Sequence, residues 1–376
     1  MPRILIISAS IGGGHVRAAQ AVELGLRQQC PSALVRNVDM LSMASGLFRR
    51  IYNKGYFDLV AKAPHLVSYL YDKLDRPTLP ASRHMGGLGL AFRKASLRPL
   101  VDLLRYEPWD IVVHTHFLSS ELLWEMRRRR HVDLRQMTVT TDFDPHRLWV
   151  TDPADHYFVA CEEAAASVAA MGVAPANITI SGIPIHPVFG QAKDPRECRR
   201  RQGLPLDRPV VLLLASGLSG PVAEGIFRGL LQVEAPLHVV AVSGRTPRLR
   251  DRLAAVPLPP RHRATVLGFT DQMDELMAAA DLGVTKPGAL TSSECLARGM
   301  PTVIVDPIPG QETRNADHLL EHGASVKASS PPVLAYKVGL LLGDRSRLDR
   351  MRAAARSMAR PGAAEEIAKV VLGSIR

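Results

Sequence analysis

The chain has 376 residues, 46% hydrophobic and only 5% aromatic, with a formal net charge of +11. That length holds about two domains of ordinary size, and no apolar run reaches the roughly 18 residues that a bilayer-crossing helix needs. The positive charge fits polyanionic or phosphate-bearing partners, whereas Cys30, Cys161, Cys198 and Cys295 are too scattered for a disulfide framework or a zinc site.

The first element reads as a buried parallel strand, RILIIS at residues 3–8. Its apolar run is too short for the core of a secretory signal, so a cytosolic location is expected. A glycine turn, an Ala-rich helix and a second strand in ALVRNVDM complete a βαβ opening. WDIVVHTH, QMTVTTDF and HYFVACEE continue the alternation of strand and helix as far as SGIPIHPVF. A basic stretch with Arg196, Arg199, Arg200 and Arg201 then reads as a solvated helix opening a second domain.

PVVLLLASG, LHVVAVSG, ATVLGF, LGVTKPG and PTVIVDP supply the strands of a second cycle, and Ser346 to Ser374 reads as helices with a break at Pro361-Gly362. The α/β pattern therefore predicts two Rossmann-like domains with parallel sheets, at 1–187 and 188–376, the last helices packing back on the first domain.

SASIGGGHVRAAQAV, from Ser8 to Val22, carries the first candidate chemistry. A dinucleotide-binding turn needs a third glycine three residues after its second. Counted from Gly12 and Gly14 that position is Arg17, although Asp39 stands where a ribose-binding acid would lie. In the alternative reading, Gly13 and Gly14 admit a substrate while His15 begins the helix. A helix N-terminus disfavours imidazolium, so the ring stays neutral and able to take a proton. The simplest reading is a tight turn with no ligand.

VTKPGALTSSECLARGMPTVIV places a Pro-Gly turn after a strand, then a helix expected to begin near Thr291 with Glu294 in its first turn. Free amides at such a terminus can hold a diphosphate, and a nearby carboxylate can chelate ribose hydroxyls. Those are parts of a nucleotide-sugar site; the bland reading makes Thr291 or Ser292 a cap and Glu294 a favourable acid. In the next loop, DPIPGQETRNADHL, Gln311 and Glu312 either hydrogen-bond sugar hydroxyls or are ordinary polar loop and cap residues.

Seven blocks occur in order: GGGHVRAA, TDFDPHRLW, GIPIHPVF, SGR, GFTDQMDELMAAADLGVTKPG, SSECLARGMP and PGQE. Together they resemble the monogalactosyldiacylglycerol synthase and processive diacylglycerol glucosyltransferase family over nearly the whole chain. The resemblance implies a GT-B glycosyltransferase of two Rossmann-like domains. It implies a UDP-glucose or UDP-galactose donor held mainly by the second domain and a lipid acceptor, diacylglycerol or a relative, mainly by the first. Transfer with inversion, no metal and no cofactor beyond the UDP-sugar co-substrate is implied as well.

Carried over by position, His15 matches the family's base and Glu294 the acid on the donor ribose. Phe269 falls where the backbone meets uracil, and Gln311 and Glu312 match the sugar-contacting pair. Gly244, Arg245 and the run Lys286, Pro287, Gly288, Ala289, Leu290, Thr291 match donor-side loops. In ASGLSGPV, Ala215 and Ser219 stand where glycines are common, which bears on diphosphate contacts through Ser216 and Gly217. Asp142 and His146 lie in a strand-end loop with Trp149; they brace that loop, or Asp142 orients His15.

A lipid acceptor gives a task to the segment Met43 to Arg98, where ten basic residues face three acidic ones. Phe48, Tyr52, Tyr56 and Val60 recur at helical spacing with Arg49, Arg50 and Lys54 beside them, as in a helix lying on an anionic membrane surface. Peripheral attachment at the cytoplasmic face is the resulting expectation, and packing of the stripe into a core is its alternative. No nucleic-acid module or stacking motif is present. Two other functions fit the same architecture: a UDP-sugar epimerase needing no lipid, and a non-catalytic nucleotide- or lipid-binding protein.

Overall fold

The computed structural model describes residues 1–50, 95–150 and 155–375. Strand β1 (Arg3–Ser8) is buried from Ile4 onward. Ile4 and Ile6 turn to one face of the sheet and Leu5 and Ile7 to the other, each joining a different apolar cluster. Burial on both faces is what makes a parallel strand read as an unbroken apolar run. Around β1 the sheet runs in the order β2 (Leu34–Asp39), β1, β3 (Ile111–His114), β4 (Arg135–Val139), β5 (His156–Val159), β6 (Ile178–Ile180), all parallel. Strand β6, three half-buried residues, has no counterpart in the sequence reading.

A second parallel sheet has the order β12 (Ser325–Lys327), β11 (Thr302–Ile304), β10 (Leu282–Thr285), β7 (Val210–Leu214), β8 (His238–Val242), β9 (Arg263–Leu267). Its core gathers Val211, Leu213, Val239, Ala241 and Val284 against Phe227, Leu230, Leu334 and Val338 of the covering helices.

The chain divides into two compact units: 1–187 with 308–314 and 360–376, and 188–307 with 315–359. In the first, helix Ala363–Ser374 packs on helix Gly14–Gln29 and contributes Ile367, Ala368 and Val371 to the cluster around Ile4 and Ile6. The approach is close enough that a Cβ on Gly25 would lie 2.5 Å from the Ala364 carbonyl oxygen. Gln29 Nε2 donates to the Glu365 carbonyl at 2.8 Å in the same contact.

Two expectations are corrected. Phe48, assigned to a membrane face, is 6% exposed and packs with Met40, Leu97 and Leu100. Those residues give its ring an apolar site within the protein, worth about 2 kcal/mol for a side chain of that size. Arg49 and Arg50 are exposed, and the remainder of the proposed stripe, Tyr52 and Lys54 included, lies outside the described residues. The second correction concerns Arg199 on helix Pro195–Arg201. It is not solvated: its guanidinium pairs with Asp281 at 2.6 Å and donates to the Ala279 carbonyl at 2.8 Å. Among the described residues, no helix is long and apolar enough to cross a membrane.

In each sheet the order reverses at one point, between β1 and β3 in the first and between β7 and β10 in the second. The loops leaving the carboxyl ends of such strand pairs diverge to opposite faces, and the crevice they leave is where doubly wound folds bind ligands.

Candidate active site

At the first reversal, Gly12 takes a left-handed φ of +72°, Gly13 caps helix Gly14–Gln29, and His15 follows in its first turn. The His15 ring is half-buried against the chain leaving β3: Nδ1 lies 3.0 Å from the Thr115 carbonyl oxygen and 2.9 Å from Thr141 Oγ1. Thr115 also binds the residue from its other end, Oγ1 donating to the His15 carbonyl at 2.9 Å. A carbonyl only accepts, so Nδ1 carries the hydrogen of the neutral imidazole and Nε2 keeps its lone pair. Burial lowers the His15 pKa to about 4, against a smaller upward pull from the Thr115 hydrogen bond. At neutral pH the ring is an uncharged base with its acceptor nitrogen defined.

Aromatic side chains wall this base. His116 meets it edge-on with centroids 4.7 Å apart, and Trp149 lies at 6.1 Å. Phe117 stacks on His116 and meets the edge of His146. His116 Nδ1 accepts from the Leu118 amide at 3.1 Å, capping helix Phe117–Arg128. Burial holds His116 well below the usual histidine range, helped by the neighbouring His15 and His146.

The orienting groups on His15 are Thr115 and Thr141, which sequence reasoning did not single out, and not Asp142, for which that role was one of two expectations. Asp142 Oδ2 instead accepts from Trp149 Nε1 at 2.8 Å and Oδ1 from Gln311 Nε2, so this carboxylate braces the loop. Asp39 is likewise committed to backbone, its Oδ1 accepting from the amides of Ser10 and Leu41 at 3.0 Å each.

The second reversal carries different groups. After β7 come Ser216 and Gly217, and after β8 comes Gly244, so close that a Cβ there would lie 3.0 Å from Ser216 Oγ. The Arg245 guanidinium carbon sits 4.6 Å over the ring of Phe269, which is 53% exposed just past β9. After β10, Lys286 approaches Asp306 at 3.9 Å, and Pro287 and Gly288 lead into helix Ala289–Ala297.

This helix starts earlier than expected. Gly288 is its N-cap without any side-chain hydrogen bond, so neither Thr291 nor Ser292 caps it and Glu294, 4% exposed, lies in the second turn. Its first-turn amides, those of Ala289, Leu290 and Thr291, directly follow the Pro-Gly turn. Gln311 and Glu312 open helix Gln311–Glu321, whose start belongs to the first unit. The Glu312 carboxylate accepts from the Ile308 amide at 2.7 Å, closing the turn before it.

Two family descriptions match this chain: monogalactosyldiacylglycerol synthase over residues 15–185, and the glycosyltransferase family 28 C-terminal domain over residues 230–367. The chain belongs to the monogalactosyldiacylglycerol synthase and processive diacylglycerol glucosyltransferase family. It is 28% identical over 361 residues to a Bacillus subtilis processive diacylglycerol beta-glucosyltransferase, covering 93% of this chain and 89% of that one. Among solved structures, Acinetobacter baumannii MurG superposes with a TM-score of 0.65 at 17% identity, over 99% of this chain and 100% of MurG. A putative UDP-N-acetylglucosamine 2-epimerase from Listeria monocytogenes gives 0.62 at 16% identity, over 98% and 95% of the two chains.

The fold is thus GT-B, and a fold shared with an epimerase does not separate the two chemistries. The residues expected from the sequence to carry the chemistry fall at the two reversals. His15, Gly13 and Gly14 gather at the first with Asp142, His146 and Trp149. Ser216, Gly217, Gly244, Arg245, Phe269 and the Lys286–Thr291 run gather around the ends of β7 to β10 at the second.

Proposed function

We propose that the chain transfers a hexosyl group from UDP-glucose or UDP-galactose to the hydroxyl of diacylglycerol or a related lipid alcohol, with inversion and without a metal. The observation that carries this reading is the His15 tautomer: its Nδ1–H is held by the Thr115 carbonyl and Thr141, so Nε2 is the base. His15 Nε2 takes the acceptor's hydroxyl proton while that oxygen bonds to the anomeric carbon. The bond from that carbon to the UDP oxygen breaks on the opposite side, and the electron pair leaves with UDP.

The first unit takes the acceptor at the Gly13–His15 turn, and residues 188–307 hold the nucleotide. Charge that grows on the departing diphosphate is met by amides of Ala289, Leu290 and Thr291, of Ser216 and Gly217, and by Lys286 and Arg245. Glu294 receives the ribose hydroxyls, the backbone at Phe269 the uracil, and Gln311 and Glu312 the hexose. Arg49 and Arg50 face an anionic membrane surface, to which the protein attaches peripherally from the cytoplasmic side.

The deciding experiment incubates purified protein with either UDP-hexose and mixed lipids and reads glycolipids by mass spectrometry. A hexosyl-diacylglycerol is expected, with UDP release that depends on added diacylglycerol. A UDP-hexose isomerised without lipid would instead establish the epimerase. Retention on anionic vesicles at low salt checks the membrane face, and its absence removes that part of the reading.

A further inference from the structure

Asp142 lies just past β4, 1% exposed, and its two oxygens are divided between two donors. Oδ2 accepts from the indole Nε1 of Trp149 at 2.8 Å, and Oδ1 accepts from Nε2 of Gln311. Trp149, itself fully buried, is one wall of the His15 pocket, with ring centroids 6.1 Å apart. Gln311 opens the helix after the Pro309-Gly310 turn and is half-buried. One carboxylate thus anchors both the wall beside the base and an amide expected to meet the sugar.

A glutamine offers a donor at one end of its amide and an acceptor at the other. A carboxylate only accepts, so the end that faces Asp142 is the nitrogen, and the carbonyl Oε1 is turned away. We propose that Asp142 is a positioning residue that fixes the Gln311 amide with its carbonyl toward the donor's hexosyl group, so that the site selects for a sugar hydroxyl able to donate. The inference rests on the hexosyltransferase reading above. A site built to bond a hydroxyl rejects an analogue that lacks it, because the buried polar partner is left unmatched. Fluorine in place of that hydroxyl cannot donate to a carbonyl.

The test uses the full chain, UDP-glucose and the series of monodeoxyfluoro UDP-glucoses, each lacking one hydroxyl of the glucosyl ring, with transfer to diacylglycerol as readout. The wild type should show a raised KM for one member of the series. In Asp142→Asn the side-chain oxygen still accepts from Trp149, while its amide nitrogen takes the place of Oδ1. Gln311 must then turn its carbonyl inward and show its nitrogen to the sugar. KM for UDP-glucose is expected to rise about tenfold, the upper scale of one neutral hydrogen bond, with kcat within about twofold, and the fluoro penalty should vanish.

The double variant Asp142→Asn with Gln311→Glu returns an acceptor to both sides: one oxygen of the new carboxylate takes the amide introduced at position 142 and the other faces the sugar. It should restore both the KM and the fluoro penalty. Should Asp142→Asn fail to fold, Gln311→Met removes the amide alone and should raise KM and erase the penalty. An unchanged fluoro profile in Asp142→Asn or Gln311→Met overturns the proposal, as does a loss confined to kcat, which would mean that Asp142 serves only the Trp149 wall. Wild-type protein that transfers no hexose from any UDP-hexose overturns the reading beneath it, which is a separable result.

Discussion

At the carboxyl ends of β1 and β3 the chain sets three imidazoles, a phenyl ring and an indole; at the ends of β7 and β10 it sets glycines, serines, a lysine and a helix N-terminus. Both places arise from the same reversal of strand order. The contrast lies in how each treats charge. The first pocket is lined by groups that burial keeps neutral, as the lowered pKa of His15 and His116 records. The second offers amides and cations, suited to an anion. One topology therefore presents a neutral aromatic pocket in one sheet and an anion-suited one in the other, according to whether its loops exclude charge or invite it.

The largest effect should come from removing the base. His15→Ala is expected to lower kcat by roughly 100- to 10,000-fold, the usual range for a lost general base, while leaving UDP affinity unchanged in calorimetry. Near-normal turnover would show that the first reversal is not the catalytic one. Loading the second reversal should do the converse. Gly244→Val, whose Cβ would crowd Ser216 Oγ at 3.0 Å from a backbone φ of +66°, should weaken UDP binding about tenfold or more through strain of a few kcal/mol. Its stability is the control.

Acidification sharpens the comparison further. The folded pKa of His15 is about 4 and that of His114 about 3, each lowered by burial from 6.5, and His116 is lowered well below that value. Below pH 6.5 the unfolded chain takes protons that these folded rings refuse, so stability is present above that pH and falls as pH drops toward 4. The second unit's His238 and His262, also buried, are lowered too, but by less. Amides of β1 and β3 should accordingly lose exchange protection on going from pH 7 to pH 5 before those of β7 and β8. Equal loss in both sheets would erase the distinction.

A smaller effect is expected at Thr141. Replacement by Val removes one acceptor from His15 Nδ1 while the Thr115 carbonyl remains, so kcat should fall by about tenfold at most, and Ser should restore it. Smallest of all is the effect of EDTA, expected to leave turnover unchanged; metal-dependent transfer would count against the amide-and-cation account of the second reversal.

How far the sequence spoke depended on burial and distance along the chain. Strands β1, β7 and β8 stand inside their sheets, and their apolar runs delimit them almost to the residue. Strands β6 and β12, at sheet edges, are three residues each and partly exposed, and give no run to read. The start of helix Ala289–Ala297 was misread because Thr291 and Ser292 look like caps while the actual cap, Gly288, offers no side chain. His15 was legible from local pattern, but its orienting partners stand 100 and 126 residues away and no local signal marks them. Phe48 shows the opposite failure: its helical spacing was visible, and the apolar cluster it joins with Met40, Leu97 and Leu100 was not.

The seating of helix Ala363–Ser374 on Gly25 has a consequence for biosynthesis. The apolar sides of Ile4, Ile6 and Val22 are closed by Ile367, Ala368 and Val371, made more than 300 residues later by position in the chain. Until the ribosome has delivered those residues, the first unit keeps an apolar face open, whereas the second unit, 188–307 with 315–359, is complete once residue 359 is made. The half translated first is therefore the half completed last, and it is the one that a chaperone would have to shield.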